Sequence, residues 1–177
     1  MEGYALAINT RFKWDFIAIM LLMYFVYFIR KRINLHPLHF GFFSLFWFLH
    51  CAGIFDWYQS YPLGLEYDHW VHGFFGFVSS LIVLRAYHFY GVYPAGFIPV
   101  AAIAVILGFS AFHEIFEFGG AMMLGEGEGV LFIGAGDLDE WDTQKDMLNN
   151  LIGALLGLVL FYIFKQRHGV RQQPAAT

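Results

Sequence analysis

The sequence predicts an all-α fold, a polytopic membrane helix bundle with about five transmembrane helices and a Gly-rich acidic outer loop, in a single transmembrane domain over residues 1–177. Three observations predict it. Of the 177 residues 59% are hydrophobic, 21% aromatic and only 14% charged, which is more apolar surface than a soluble domain of this size can hide. The apolar residues come in runs near the ~20 that a helix needs to cross the hydrocarbon core. Threading those runs through a bilayer then sorts the charges onto opposite sides.

The runs follow one another along the chain. Trp14–Ile29 is short, but Phe12 and Trp14 extend it into an aromatic belt at the interface. The residues before it lack a basic stretch leading into a short apolar run and a small-residue cleavage site, so this span is read as retained. Arg30-Lys31-Arg32 and Pro37 separate it from Leu38–Phe55, and Pro62 and Gly64 punctuate the next connection. His69–Tyr87 is the third run. Gly91, Pro94 and Gly96 divide it from Phe97–Phe116. The fourth connection, Gly119–Trp141, is long and Gly-rich, as functional or disordered segments often are. Met147–Phe164 is the fifth run.

Orientation comes from Lys and Arg. Five spans place Arg30, Lys31, Arg32, Arg85, Lys165, Arg167 and Arg171 on one side, seven of the ten basic residues, against Arg11, Lys13 and Lys145 on the other. The positive-inside tendency then puts the N-terminus outside and the C-terminus in the cytoplasm. All 14 Asp and Glu residues fall on the outer side. Acidic residues contribute little to orientation, so this asymmetry points to a site. The net charge of −4 leaves no basic stripe for nucleic acid. Cys51 is the single cysteine, which excludes an internal disulfide and a cysteine-based zinc site.

Three polar clusters carry the chemistry. Asp68, His69 and His72 open the third span; Asp68 and His72 lie about 40° apart on a helix turning ~100° per residue. His113, Glu114 and Glu117 close the fourth span, with His113 and Glu117 at the same four-residue spacing. Asp142, Asp146, Asn149 and Asn150 open the fifth, where Asp142, Asp146 and Asn149 share a face. Down, up and down again, the topology brings all three to one depth near the outer surface. Ionisable groups there are expensive unless paired, hydrated or coordinated.

So many carboxylates repel one another, and a cation resolves the repulsion. Mixed His and Asp/Glu donors suit zinc, manganese or iron, with zinc or manganese favoured, whereas an all-oxygen set suits calcium or magnesium. The candidate ligands are Asp68, His72, His113, Glu114, Glu117 and Asp146. Glu114 and Glu117 are the candidate general bases. His113-Glu114-x-x-Glu117 lacks the second histidine of the zinc-protease helix motif. Asp137-x-Asp139-x-x-Asp142 lacks the glycine and terminal Glu of an EF-hand loop.

Plainer roles compete at several positions. His50 has no acidic partner four residues on and reads as a helix-end or packing residue. Asp68 and Asp142 can cap their helices against the dipole. Asp137, Asp139 and Glu140 read as a solvated acidic loop. Gly153 and Gly157 lie about 20° and 60° from Asp142 around the helix and read as a packing stripe, which turns the Asp146 face into the bundle.

Three stretches carry a family resemblance: Tyr67-Asp68-His69-Trp70-Val71-His72, His113-Glu114-Ile115-Phe116-Glu117, and Gly136 through Met147 with its Trp141-Asp142-Thr143-Gln144-Lys145-Asp146-Met147 string. Through them, over about its last two-thirds, the sequence resembles the YjdF-type family of bacterial inner-membrane proteins. More distantly it is similar to VanZ-like proteins, with their pattern Asp-x-x-x-His, Glu-x-x-Gln, Asp-x-x-x-Asn-x-x-Gly. Asp68 and His72 fit the first element, Glu114 begins the second, and Asp146, Asn150 and Gly153 fit the third; Glu117 stands where that pattern has Gln. VanZ-like proteins are associated with glycopeptide resistance, so the resemblance implies envelope or lipid-linked chemistry without implying a particular reaction.

The expectation is an inner-membrane protein with an outward-facing His/carboxylate site for a divalent cation, acting by metal-assisted hydrolysis or transfer on a lipid-linked envelope substrate. Metal-bound water would be the nucleophile. The alternatives are an ion-binding or transport protein with an acidic vestibule, or a structural scaffold whose polar cluster locks the helices. Transport needs an inward path, and the inner halves of the spans offer only Ser44, Ser79, Ser80 and His88.

Overall fold

The computed structural model describes residues 13–52, 57–91, 93–124 and 140–168. Five helices organise them: α1 (Lys13–Ile29), α2 (Pro37–His50), α3 (Tyr67–Tyr90), α4 (Ile98–Leu124) and α5 (Asp142–His168), with short 3₁₀ turns at Trp57–Gln59 and Pro62–Gly64. The chain is an all-helical membrane bundle. Tyr67–Tyr90, Ile98–Met123 and Asp142–Lys165, of 24, 26 and 24 residues, are long and apolar enough to cross a bilayer. Their outer faces keep large apolar side chains uncovered, Phe109, Ile115, Met123, Leu156 and Val159 among them, as lipid requires.

The first two helices are shorter. At 1.5 Å per residue, the 17 residues of α1 reach about 26 Å and the 14 of α2 about 21 Å. The second run was expected to continue to Phe55. Instead α2 ends at His50, and Cys51 and Ala52 turn in a 3₁₀ conformation. The fourth helix errs the other way, running past Phe116 and through Gly119 and Gly120 to Leu124. Isolated glycines cost a helix only about 1 kcal/mol each, too little to stop one this apolar. Gly125–Gly129, Asp137 and Asp139 lie outside the described residues, as do Arg11 and Arg171, while Glu140 is exposed.

The turns have local causes. Asn34, a residue type that tolerates the left-handed region, sits at φ 50°. The Leu35 amide there donates back to the Arg30 carbonyl at 2.7 Å. His36 then caps α2, its Nδ1 accepting from the Leu38 amide at 3.2 Å, with Pro37 in the first turn where its missing N–H is harmless. Arg85, near the far end of α3, donates from Nε to the Asn34 carbonyl at 2.7 Å. That bond sets the α1–α2 turn and the end of α3 at one end of the bundle, as alternating spans demand. Gly91, at φ 61°, closes α3 with its amide on the Tyr87 carbonyl at 3.0 Å.

The seam between α3 and α5 positions the site. A Cβ on Gly153 would strike the Gly73 carbonyl oxygen, one on Gly76 the Asn150 carbonyl oxygen, and one on Gly157 the Ser80 hydroxyl and Phe77 carbonyl. Glycine is needed at all three for the backbones to approach so closely. Gly153 and Gly157 thus face α3. Asn150 and Asp146, on the same stripe about one and two turns before Gly153, are carried inward with them.

Candidate functional site

At the starts of α3 and α5 and, because α4 runs on to Leu124, two to three turns inside the end of α4 rather than at its close, the polar residues gather as layers on one stripe of each helix. Asp68 is in the first turn of α3, with no side-chain capping bond at the helix start. One turn on, His72 is buried. Its Nε2 stands 3.5 Å from Asp68 Oδ1 and 3.8 Å from Asp146 Oδ2. One ligand atom each from Asp68, His72 and Asp146 lies within 4.8 Å of the other two. Asp146, only 2% exposed, comes from the first turns of α5.

The other edge of the same imidazole faces α4. His72 Nδ1 is 3.9 Å from Glu114 Oε1 and 3.0 Å from Asn150 Nδ2, and Asn150 Nδ2 also donates to Ser110 Oγ at 2.5 Å. Asn150 therefore joins α5 to both α3 and α4. His113 and Glu117 form a separate pair at 3.2 Å, with the His113 ring centroid 6.2 Å from that of His72. The six candidate ligands thus fall into a compact trio (Asp68, His72, Asp146), Glu114 across the ring from it, and the His113–Glu117 pair alongside. Among the described residues, Glu114 Oε1, Asp146 Oδ1 and Asn150 Oδ1 are buried with no hydrogen-bond partner.

Three residues join the site that spacing alone did not single out. Asn149 was grouped with Asp142 and Asp146, but its amide turns back to the Lys145 carbonyl at 2.9 Å; Asn150, four residues after Asp146, takes the inward position. Ser110 lies four residues before Glu114 on one face of α4, a signal the sequence does carry. His50 has no such signal. It closes α2, buried, with its ring centroid 5.9 Å from that of His113 and its Nδ1 3.0 Å from the Tyr58 hydroxyl. Burial, and secondarily the Asp68 carboxylate, hold the Tyr58 phenol well above its usual range, so this hydroxyl keeps its proton. His69 points elsewhere, 3.5 Å from Glu66.

Such an arrangement can hold a cation between two carboxylates and an imidazole, or share protons among them. A metal on Nε2 would require the proton on Nδ1, and an acceptor to receive it. Turning the Asn150 amide by half a revolution, an exchange of near-identical atoms, brings Oδ1 to that position.

Comparison with known proteins agrees with this architecture. Residues 4–167 match the family described as predicted membrane protein DUF2238. Over 123 residues the chain is 32% identical to the inner membrane protein YjdF of Escherichia coli (strain K12), covering 62% of this chain. The match spans 57% of that relative's length. No solved structure matches the chain. With nearly its whole length inside the family match and the relative sharing its membrane character, this chain belongs to the DUF2238 family of predicted membrane proteins, the YjdF type.

Proposed function

We propose that the polar centre binds a divalent cation, zinc or manganese by its donor set, on the outer side of the bacterial inner membrane. There it serves hydrolysis or transfer on a lipid-linked envelope substrate. The observation that carries this reading is the Asp68–His72–Asp146 trio. With bonds of ~2.1 Å, ligand atoms in a tetrahedral zinc site lie about 3.4 Å from one another. The His72 Nε2 distances of 3.5 Å and 3.8 Å to the two carboxylates are near that edge. Three protein donors leave a fourth position open, the pattern of catalytic rather than structural sites.

The surrounding residues suit the same reading. Asn150 is the acceptor that orients His72, and Glu114 backs the same ring edge. A bound cation would act as Lewis acid and lower the pKa of its water. Glu114 and Glu117 remain the candidate bases of this reading, with His113 standing 3.2 Å from Glu117. The outward orientation rests on the seven-to-three division of basic residues, together with the Arg85–Asn34 bond that sets the basic turn and the end of α3 at one end. A C-terminal fluorescent fusion should glow and a C-terminal alkaline phosphatase fusion stay inactive; the reverse pair would refute it.

A scaffold reading has an observation of its own, since the Asn150 bonds would equally fasten three helices. Transport fares worse: the α3–α5 seam below the site is closed by backbone contacts at Gly73, Gly76 and Gly153. Metal analysis of protein purified without chelators or a His-tag separates the readings. The expected result is close to one zinc or manganese per chain in the wild type and its loss in His72→Ala. No bound metal in either protein would leave the scaffold.

A further inference from the structure

Below the polar centre lies a cavity of about 650 Å³, walled by α1, α2, α3 and α4. Its polar residues are concentrated at one end: His50, His72, Ser110, His113 and Asn150, the last four belonging to or touching the centre already described. From His72 the cavity follows α3 to Val83, eleven residues or about 16 Å deeper. Along that length Ser79 is the one polar residue on the wall. Phe109, Phe112 and Phe116 of α4, each more than half exposed, also line it.

Space of this shape excludes water, which finds too few polar partners there to stay. Left void, it would forfeit the dispersion contacts of every ring around it. The volume matches that of small-molecule sites, and the polar groups at one end match an amphiphile's head. Among the cavity-lining polar atoms without a partner among the described residues, with Trp47 Nε1 and Asn150 Oδ1, is His50 Nε2, on a ring only 4% exposed. The Tyr58 hydroxyl and His50 Nδ1 share a hydrogen bond at 3.0 Å; in the tautomer where the hydroxyl donates, Nε2 carries the ring proton and is a donor without an acceptor.

We propose that this chamber takes the hydrocarbon chain of an anionic, phosphate-headed membrane lipid, whose head oxygens meet His50 Nε2–H and the polar centre. The proposal rests on the cation reading for the head alone, since uncompensated carboxylates would repel a phosphate. The chain site stands on the cavity. His50 thereby becomes a head-positioning residue, distinct from the cation ligands.

Photo-crosslinking tests it, using the full chain in nanodiscs of phosphatidylglycerol that carries a diazirine midway along one acyl chain. The expected labels fall on chamber peptides around Phe75–Ser79 and Ile106–Ser110. Ser79→Phe, which fills the chamber, should cut them at least fivefold while labels at lipid-facing Leu155 and Val159 persist. Leu22→Trp, on the opposite wall, should do the same and covers the case in which Ser79→Phe does not fold. Each variant is also unfolded thermally with and without zinc. Chamber labels with no zinc effect in the wild type would sink the cation reading and keep the chain site. A zinc effect with labels confined to Leu155 and Val159, or chamber labels indifferent to both fillings, would overturn the chain site alone.

Discussion

Histidine is buried between α3 and α5 at both ends of this bundle, and the two ends are finished differently. At one end His88 Nε2 meets the Tyr162 hydroxyl at 3.0 Å and Lys165 Nζ approaches Nδ1 at 2.9 Å, so both ring nitrogens are engaged. The ring also stacks on Phe161, with centroids 5.4 Å apart. At the other end His72 meets carboxylates on both edges, and buried oxygens of Glu114 and Asp146 have no partner among the described residues. Buried polar atoms in native structures are ordinarily satisfied. His88 is a tie complete in itself. The group around His72 leaves buried oxygens unsatisfied, and proteins accept such departures mainly where they work.

The seam that holds both ends is where the largest effect should appear. Gly153→Val would drive side-chain atoms into the Gly73 backbone and should destabilise the protein by about 3 kcal/mol or more. A Cβ at Gly119 meets nothing within 4 Å, so Gly119→Ala should raise stability, by up to about 1 kcal/mol. Thermal unfolding in detergent reads both. Equal effects would mean that the seam does not carry the assembly.

Next comes the contrast between the two ends. His88→Ala strands a part-buried ammonium and a phenol and should lower stability by about 1–3 kcal/mol. Asp146→Asn, without added cation, should leave stability unchanged or raise it by about 1 kcal/mol, because it removes one of several carboxylates that repel. If Asp146→Asn proves as damaging as His88→Ala, both ends are structural ties and the contrast dissolves.

A smaller effect isolates the orienting amide. Asn150→Ala should weaken cation binding 10- to 100-fold, the usual consequence of losing the group behind a ligand histidine. Asn150→Asp, which restores an acceptor at His72 Nδ1, should recover most of it. Titration of metal-free protein measures both. Equal affinity in all three proteins would place the cation elsewhere.

The sequence displayed much of this. Apolar runs located the helices, the Gly153/Gly157 stripe told which face of α5 meets α3, and four-residue spacings paired Asp68 with His72 and His113 with Glu117. What it hid were relations between helices. Spacing put Glu114 at the right depth but not on the Nδ1 edge of His72, opposite Asp68 and Asp146. It put Asn149 on the face of Asp142 and Asp146 and left Asn150 off it, whereas the close approach at Gly76 sets Asn150 inward and Asn149 turns back to the Lys145 carbonyl. His50 sits on a helix with no other site residue, so no periodicity marks it. The chamber is a gap among four helices, and no single run of residues spells a gap.

One measurement bears most directly on the proposal that the cluster around His72 is completed by a cation. Wild-type protein in detergent, stripped of metal, is unfolded thermally with and without zinc, manganese, magnesium or calcium. Binding only the folded site should stabilise it by about 2.7 kcal/mol at a hundredfold excess over the dissociation constant. The gain should shrink as pH falls, because protons compete for the same carboxylates and imidazole. It should vanish in His72→Ala and Asp146→Asn and survive in Glu140→Gln, an exposed position. A wild-type midpoint that no cation moves would contradict the proposal, and the cluster around His72 would then be, like that around His88, a polar tie among helices.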